Sequence, residues 1–309
     1  GLYVSAEAEL EKILKGNISD SGINLAEVKA YKTLCSIELR RPNLDGIVSE
    51  FIAKYPYSSS LNKVYLKYAS VYFDNKDYIK AFEILSRIKK SEIPEVDITD
   101  YSFKMGYCNL RVGKLENALK EFAEIIYRPV NSYTAPSQYY TAYIHYIRKD
   151  FKQAIEKFKQ LVTDKRFSTL SRYYILESNF MLENYKYVVE NGEDLYNIME
   201  KEYKAKTARM MSESFFALKR TDEAKFYFEK YSLYSGALSR KDIYYSGMIA
   251  YTLRNYLLAV ESLQKLLNVD DSLTQNAQYH LANSFVQLKN KQKALELFKA
   301  AAESRFDAS

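Results

Sequence analysis

The sequence predicts an all-α fold, a right-handed solenoid of about eight helix-turn-helix repeats with a leading half repeat. Three observations predict it: a recurring residue triplet, polar turns placed alike in each period, and apolar stripes at helical spacing. In the triplet a small residue is followed twelve positions later by Ala, and four positions after that by Phe or Leu. It reads Ala69, Ala81, Leu85; then Gly106, Ala118, Phe122; then Ala142, Ala154, Phe158. It continues as Ser212, Ala224, Phe228; Gly247, Ala259, Leu263; and Ala282, Ala294, Phe298. Self-similarity with a period of about 35 residues is the signature of stacked supersecondary units.

Weaker copies fill the remaining register. Ser36, Val48 and Ile52 keep the spacing with larger side chains. Ala6 and Leu10 match only the second half of a unit. Leu176 and Val188 replace both small residues in the unit at 169–203, and Gly192 stands where Phe or Leu is expected. That unit is expected to hold its two helices farther apart.

Each unit reads as two helices. The apolar and aromatic segment 138–148 is followed by the turn Lys149-Asp150 and then by 151–161, where Phe151, Ala154, Ile155, Phe158 and Leu161 form one stripe. Corresponding turns are expected near 75–77, 113–114, 184, 220–221, 254–255 and 290. Pro56, Pro94, Pro129 and Pro136 fall between units, where one helix ends and the next begins. No stretch alternates apolar and polar residues as a half-buried strand would. The small residues have a mechanical reason: two helices approach closely only where neither projects a large side chain. A single pair cannot bury its apolar face, so the stack supplies the core.

In this register the chain resembles the tetratricopeptide repeat (TPR) family over essentially its whole length. Met105-Gly106, Gly113, Ala118 and Phe122 carry the likeness, and Ala294, Phe298 and Ala301 repeat it. The Tyr-rich first helices and the phrase Phe51-Ile-Ala-Lys-Tyr-Pro-Tyr-Ser58 are similar to bacterial envelope members of that family. The resemblance implies a periplasmic or outer-membrane-associated protein, with the cytoplasm left open. The whole of 1–309 is expected to be one solenoid cut from a longer repeat protein, since Ala6 lacks a partner first helix and nothing after Phe306 reads as a capping helix.

Composition fits a globular scaffold, with 27% charged and 47% hydrophobic residues. No run of about 20 apolar residues is present to span a membrane. The net charge of +6 is spread along the chain, and its densest cluster, Lys201 to Lys206 with Arg209, is interrupted by Glu202. No nucleic-acid module accompanies it, so no nucleic-acid partner is expected. Cys35 and Cys108 lie a whole unit apart and are expected as buried, unpaired thiols. His145 and His280 are the only histidines, and His145 is expected in the core. Without a Gly-rich phosphate loop, a metal-spaced cluster or a nucleophile motif, neither enzymatic activity nor a cofactor is expected.

One constellation points to binding. First-helix positions at i, i+4 and i+7 in the repeat register share a face. They read Phe103, Tyr107, Leu110; Tyr139, Tyr143, Tyr146; Tyr173, Glu177, Phe180; Arg209, Glu213, Phe216; and Tyr244, Met248, Tyr251. An aromatic inner wall of this kind suits a protein or peptide partner, because Tyr joins a large apolar body to a polar tip. The expected binding residues are Phe103, Tyr107, Tyr139, Tyr143, Tyr146, Tyr173, Phe180, Arg209, Phe216, Tyr244 and Tyr251. The competing function is a periplasmic carbohydrate-binding module with Tyr faces stacked on sugars. A family mode that grips a terminal carboxylate with Lys, Asn and Arg is not expected, because Lys63 and Lys67 lack register-matched Asn partners.

Overall fold

The computed structural model describes residues 1–15 and 24–304. Among them the chain is all-helical, an α-solenoid of helical repeats without strands. Phe306 lies outside the described residues. Two compact units divide the chain at Arg148 and Lys149. The first holds α1 (Leu2–Lys15), α2 (Leu25–Glu38), α3 (Leu44–Lys54), α4 (Leu61–Asp74), α5 (Tyr78–Leu85), α6 (Glu95–Arg111), α7 (Leu115–Ile126) and α8 (Thr134–Ile147). The second holds α9 (Phe151–Lys159), α10 (Ser168–Met181), α11 (Tyr185–Ile198), α12 (Lys201–Ala217), α13 (Thr221–Ser232), α14 (Arg240–Thr252), α15 (Tyr256–Leu263), α16 (Ser272–Gln287) and α17 (Lys291–Glu303).

Within the first unit, α2 pairs with α3, α4 with α5 and α6 with α7, while the first helices α2, α4, α6 and α8 also touch in series. Within the second, α10 pairs with α11, α12 with α13, α14 with α15 and α16 with α17.

The triplet residues sit where their size demands. Ala69, Ala81, Ala118, Ala224 and Ala259 are fully buried. A methyl group added to Gly106 would meet the Phe122 ring at 2.8 Å, and one added to Gly247 would meet Leu263 at 2.6 Å. The small residue of one helix therefore receives the large apolar residue of its partner. In the α12–α13 pair Ser212 takes the small position, and its Oγ donates to the Ala224 carbonyl at 2.7 Å.

The irregular repeat inverts this arrangement. Leu176 and Val188 are fully buried at the positions elsewhere held by small residues. Gly192 follows Val188 by one turn on α11, and Met211 of the following repeat fills the space beside it, lying 2.7 Å from where a Gly192 Cβ would be. A cleft of about 410 Å³ opens beside this pair, lined by Leu176, Tyr187, Asn191 and Leu195 among others.

The turns are as regular as the packing. Lys76, Gly113, Lys149, Glu183, Lys219, Arg254 and Lys289 all have positive φ, and each lies seven residues after the small residue of its repeat or, for Glu183, after Leu176 in that position. The next residue's N–H bonds back five positions, as in Asp77 to Tyr72, Arg220 to Phe215 and Asn290 to Phe285. This closes the first helix with a left-handed cap. That same next residue then starts the second helix: the Asp77, Asn255 and Asn290 side chains accept from the third backbone N–H onward. One left-handed residue and one cap thus reverse the chain.

Polar ties connect successive repeats. Glu27 accepts from the hydroxyls of Ser58, Ser59 and Ser60, which hold its carboxyl below the usual range. Asp45 accepts from Tyr72, Tyr68 and Lys80 at 2.5, 2.7 and 2.9 Å. Those bonds, the one from Tyr72 foremost, lower its pKa to about 2. Cys35 and Cys108 are buried and unpaired, and burial pushes the Cys108 thiol up to about 12. His145 is half-buried rather than fully within the core.

Two sets of variants test this account. Gly113 has open space around its Cβ position and φ of +80°, so Gly113→Ala should cost about 1 kcal/mol from backbone strain alone. Gly106→Ala should cost about 2 kcal/mol from overpacking, and adding Phe122→Leu should give a double variant less destabilised than the sum of the singles. Denaturant melts of Gly113→Ala, Gly106→Ala, Phe122→Leu and the double variant measure both effects. Asp45 has a depressed folded pKa, so its stabilisation is complete above pH ~4 and fades as pH falls through about 2. Its carboxylate is more than half exposed, so Asp45→Asn should remove only about 1 kcal/mol at pH 7. Near pH 2 the variant and parent should melt alike.

Candidate functional site

In the first unit the first helices of three successive repeats and the start of the fourth form an open cleft of about 390 Å³. Ile37, Leu66 and Val71 give it an apolar lining, and the half-buried Ser70 lines it too, with its Oγ donating to the Leu66 carbonyl at 2.8 Å. Charged side chains rim it. Lys67 pairs with Glu38 at 2.8 Å, Arg40 with Asp74 at 3.2 Å and Lys104 with Asp100 at 2.5 Å. Tyr133 donates to Asp100 at 2.5 Å, and burial followed by that carboxylate raises its pKa. The Glu38 contact raises the Lys67 pKa against the cost of burial. Asp97 faces the same cleft without an ion pair among the described residues. Four carboxylates therefore meet three cations, leaving the rim slightly acidic.

The sequence reading missed this cleft because it followed the register of Phe103 and Tyr107. Its signal lay one register away. Lys67 and Lys104 each stand two residues before the small residue of their repeat, Ala69 and Gly106. The same register carries Tyr140, Tyr174 and Tyr245 farther along.

The aromatic positions divide into two groups. In the first unit Phe103 packs against Phe73, Tyr107, Phe122, Tyr133 and Tyr140, with ring centroids 4.8–6.5 Å apart. Tyr107 also meets Tyr78 at 5.0 Å. Tyr143 and Tyr146 are half-buried and stack at 6.1 Å, whereas Tyr139 is only 8% exposed. In the second unit Tyr173 is 2% exposed, with its ring against Tyr174 and Tyr203. Tyr139 and Tyr173 therefore have almost no surface to offer a partner. Phe180 packs on Tyr185 at 6.2 Å, and Phe216 on Tyr245 at 5.2 Å. Tyr244 leans on the core of Leu263, Leu266, Ala277 and Leu281, while Tyr251 contacts Tyr256 and His280.

Arg209 is held inside its own unit. Its Nε donates to Glu213 at 2.9 Å and lies 3.5 Å from the buried Asp242. Asp242 also accepts from Tyr231 and from Ser239, whose side chain caps α14. Burial works against the Arg209 charge, but Glu213 and Asp242 outweigh it and raise its pKa. Arg209→Ala would strand Asp242 without its cation, so it should destabilise the fold by about 2 kcal/mol. Thermal melts check this; a ligand-binding arginine free of structural duty would leave the melting temperature unchanged.

The tetratricopeptide repeat family model matches residues 246–308. No curated protein sequence matches the chain. Among solved structures, the apo form of RapI is similar with a TM-score of 0.58 at 16% identity, covering 99% of this chain and 98% of its own. The C-terminal part of a TPR repeat-containing protein from Cytophaga hutchinsonii gives 0.59 at 15% identity, covering 77% and 95%. PilF of Pseudomonas aeruginosa gives 0.54 at 12% identity, covering 70% and 96%. At these identities the likeness is one of fold. The tetratricopeptide repeat match thus lies in the last repeats, residues 246–308, and over the rest of the chain the same repeat register and helix pairing make the likeness to these proteins one of fold.

Proposed function

We propose that this protein is a non-catalytic scaffold that holds a peptide segment of a partner protein on the face built by its first helices. The open, charge-rimmed cleft across α2, α4 and α6 carries the reading. It offers what a bound segment needs: an apolar lining, carboxylates and ammonium groups at its rim, and backbone held rigid by packed helices. The unpaired Asp97 and the slight acidic excess suit a segment with a basic residue, since charge complementarity sets specificity and encounter rate.

The half-buried rings Phe103, Tyr107, Tyr143 and Tyr146 of the first unit, and separately Phe180, Phe216, Tyr244 and Tyr251 of the second, extend the same reading by offering edges to a partner. Sugar stacking is the weaker reading, because Phe103, Tyr107 and Tyr140 turn their faces and edges to one another.

Selecting a random peptide library on the immobilised protein tests the proposal. Ser70→Trp would fill the cleft, and the selected peptides should then bind at least tenfold more weakly. Lys120→Trp, on the second-helix side at α7, should leave them unaffected. Peptides that bind Ser70→Trp as tightly as the parent would show that the cleft is not the site.

A further inference from the structure

The tips where first helices turn into second helices form one edge of the repeat stack, and in the last three repeats of the second unit the left-handed residue at each tip is basic, whereas the tip before them carries Glu183. Lys219, Arg254 and Lys289 occupy the left-handed position of three consecutive repeats, and all three are exposed. No ion pair engages any of them among the described residues. Packed helices lie about 8–10 Å apart, so equivalent tips in a stack form a closely spaced row.

Local helix electrostatics accounts for part of this charge. A cation just past a helix C-terminus is favoured by the macrodipole. The same effect opposes Lys291 and Lys293, which stand in the first turn of α17, where acids are favoured. The equivalent turn of α13 obeys the rule with Asp222 and Glu223. Neither 252–258 nor 287–293 contains an acidic residue. At the last tip Lys291 and Lys293 therefore accumulate against the local preference.

Apolar side chains share the edge. Leu257, in the first turn of α15, is 71% exposed, and Leu258 beside it and Leu218 at the previous tip are also exposed. Lys293 lies over the Phe285 ring at 5.3 Å, but its ammonium, like those of its neighbours, is outside any ion pair among the described residues. Exposed Leu beside such Lys and Arg is the chemistry of an interfacial surface: cations for headgroups, leucines for the acyl boundary. A phosphate backbone or an acidic polymer would use the cations and leave the leucines in water.

We propose that the turn edge of the C-terminal repeats, centred on Arg254, Lys289, Lys291, Lys293 and Leu257, docks on an anionic lipid bilayer. Docking is peripheral, because no helix among the described residues is long and apolar enough to cross a membrane.

Vesicle co-sedimentation of the whole chain tests this, using phosphatidylcholine alone, phosphatidylcholine with phosphatidylglycerol, and soluble polyglutamate as a competitor. Binding should require the anionic lipid and fall as salt shortens the Debye length. Each cation at the surface is worth roughly fivefold, so changing Lys289, Lys291 and Lys293 together to Gln should weaken partitioning about 100-fold. Leu257→Ser should weaken it several-fold at unchanged charge. Circular dichroism should show both variants folded, since every altered side chain is exposed; Arg254→Gln, in a different repeat, provides an independent reading. Failure to bind anionic vesicles would overturn the proposal. So would polyglutamate displacing the protein from them with binding indifferent to Leu257→Ser, which would assign the edge to an acidic protein partner.

Discussion

Everything in this molecule depends on how closely the two helices of a repeat can approach. At Gly106 and Gly247 there is no room for one added methyl group before Phe122 or Leu263 is struck. That approach lets a single large residue plug the seam of each pair, and it leaves the outer faces of the pair to find partners in the neighbouring repeats. The irregular repeat shows that the constraint concerns shared volume and not a particular residue at a particular position. Leu176 occupies the small site, Gly192 vacates the large one, and Met211 closes the gap from the next repeat. An adaptable thioether is suited to such an irregular space.

Close approach also requires a short reversal between helices. The left-handed residue seven positions after each small residue supplies it, with the following residue serving as the cap of the next helix. Only Gly113 is a glycine among these turn residues. The others accept a backbone strain of about 1 kcal/mol, since the sequence on both sides over-determines the turn. Because these side chains project from the tips, they are also free of packing duties. The fold leaves them open to selection for charge.

The first-helix face is where packing and recognition compete for the same side chains. Rings that look available in a repeat register are largely spent on one another, as Phe103, Tyr107 and Tyr140 show. Arg209 is likewise committed to Glu213 and Asp242. Charged pairs around the cleft of the first unit are different. They sit at an open surface, so a ligand can exchange partners with them at little cost, whereas a ring buried to 2% as Tyr173 is cannot be reached without unfolding its surroundings.

The sequence by itself determined the helical class, the repeat period, the positions of the turns and the burial of the two cysteines. Each of these follows from local spacing, which a linear chain displays directly. It also marked 169–203 as the repeat where the packing rule changes. The tertiary structure decided what spacing cannot encode. Whether Tyr139 or Tyr173 faces a groove or a neighbouring helix depends on the angle at which repeats stack, and that angle is set by side chains about 35 residues away in sequence. The cleft of Glu38, Lys67, Asp97 and Asp100 draws on three repeats at once, so no single repeat announces it. The basic edge emerged in the same way, when turns dispersed along the chain were brought into one row by stacking.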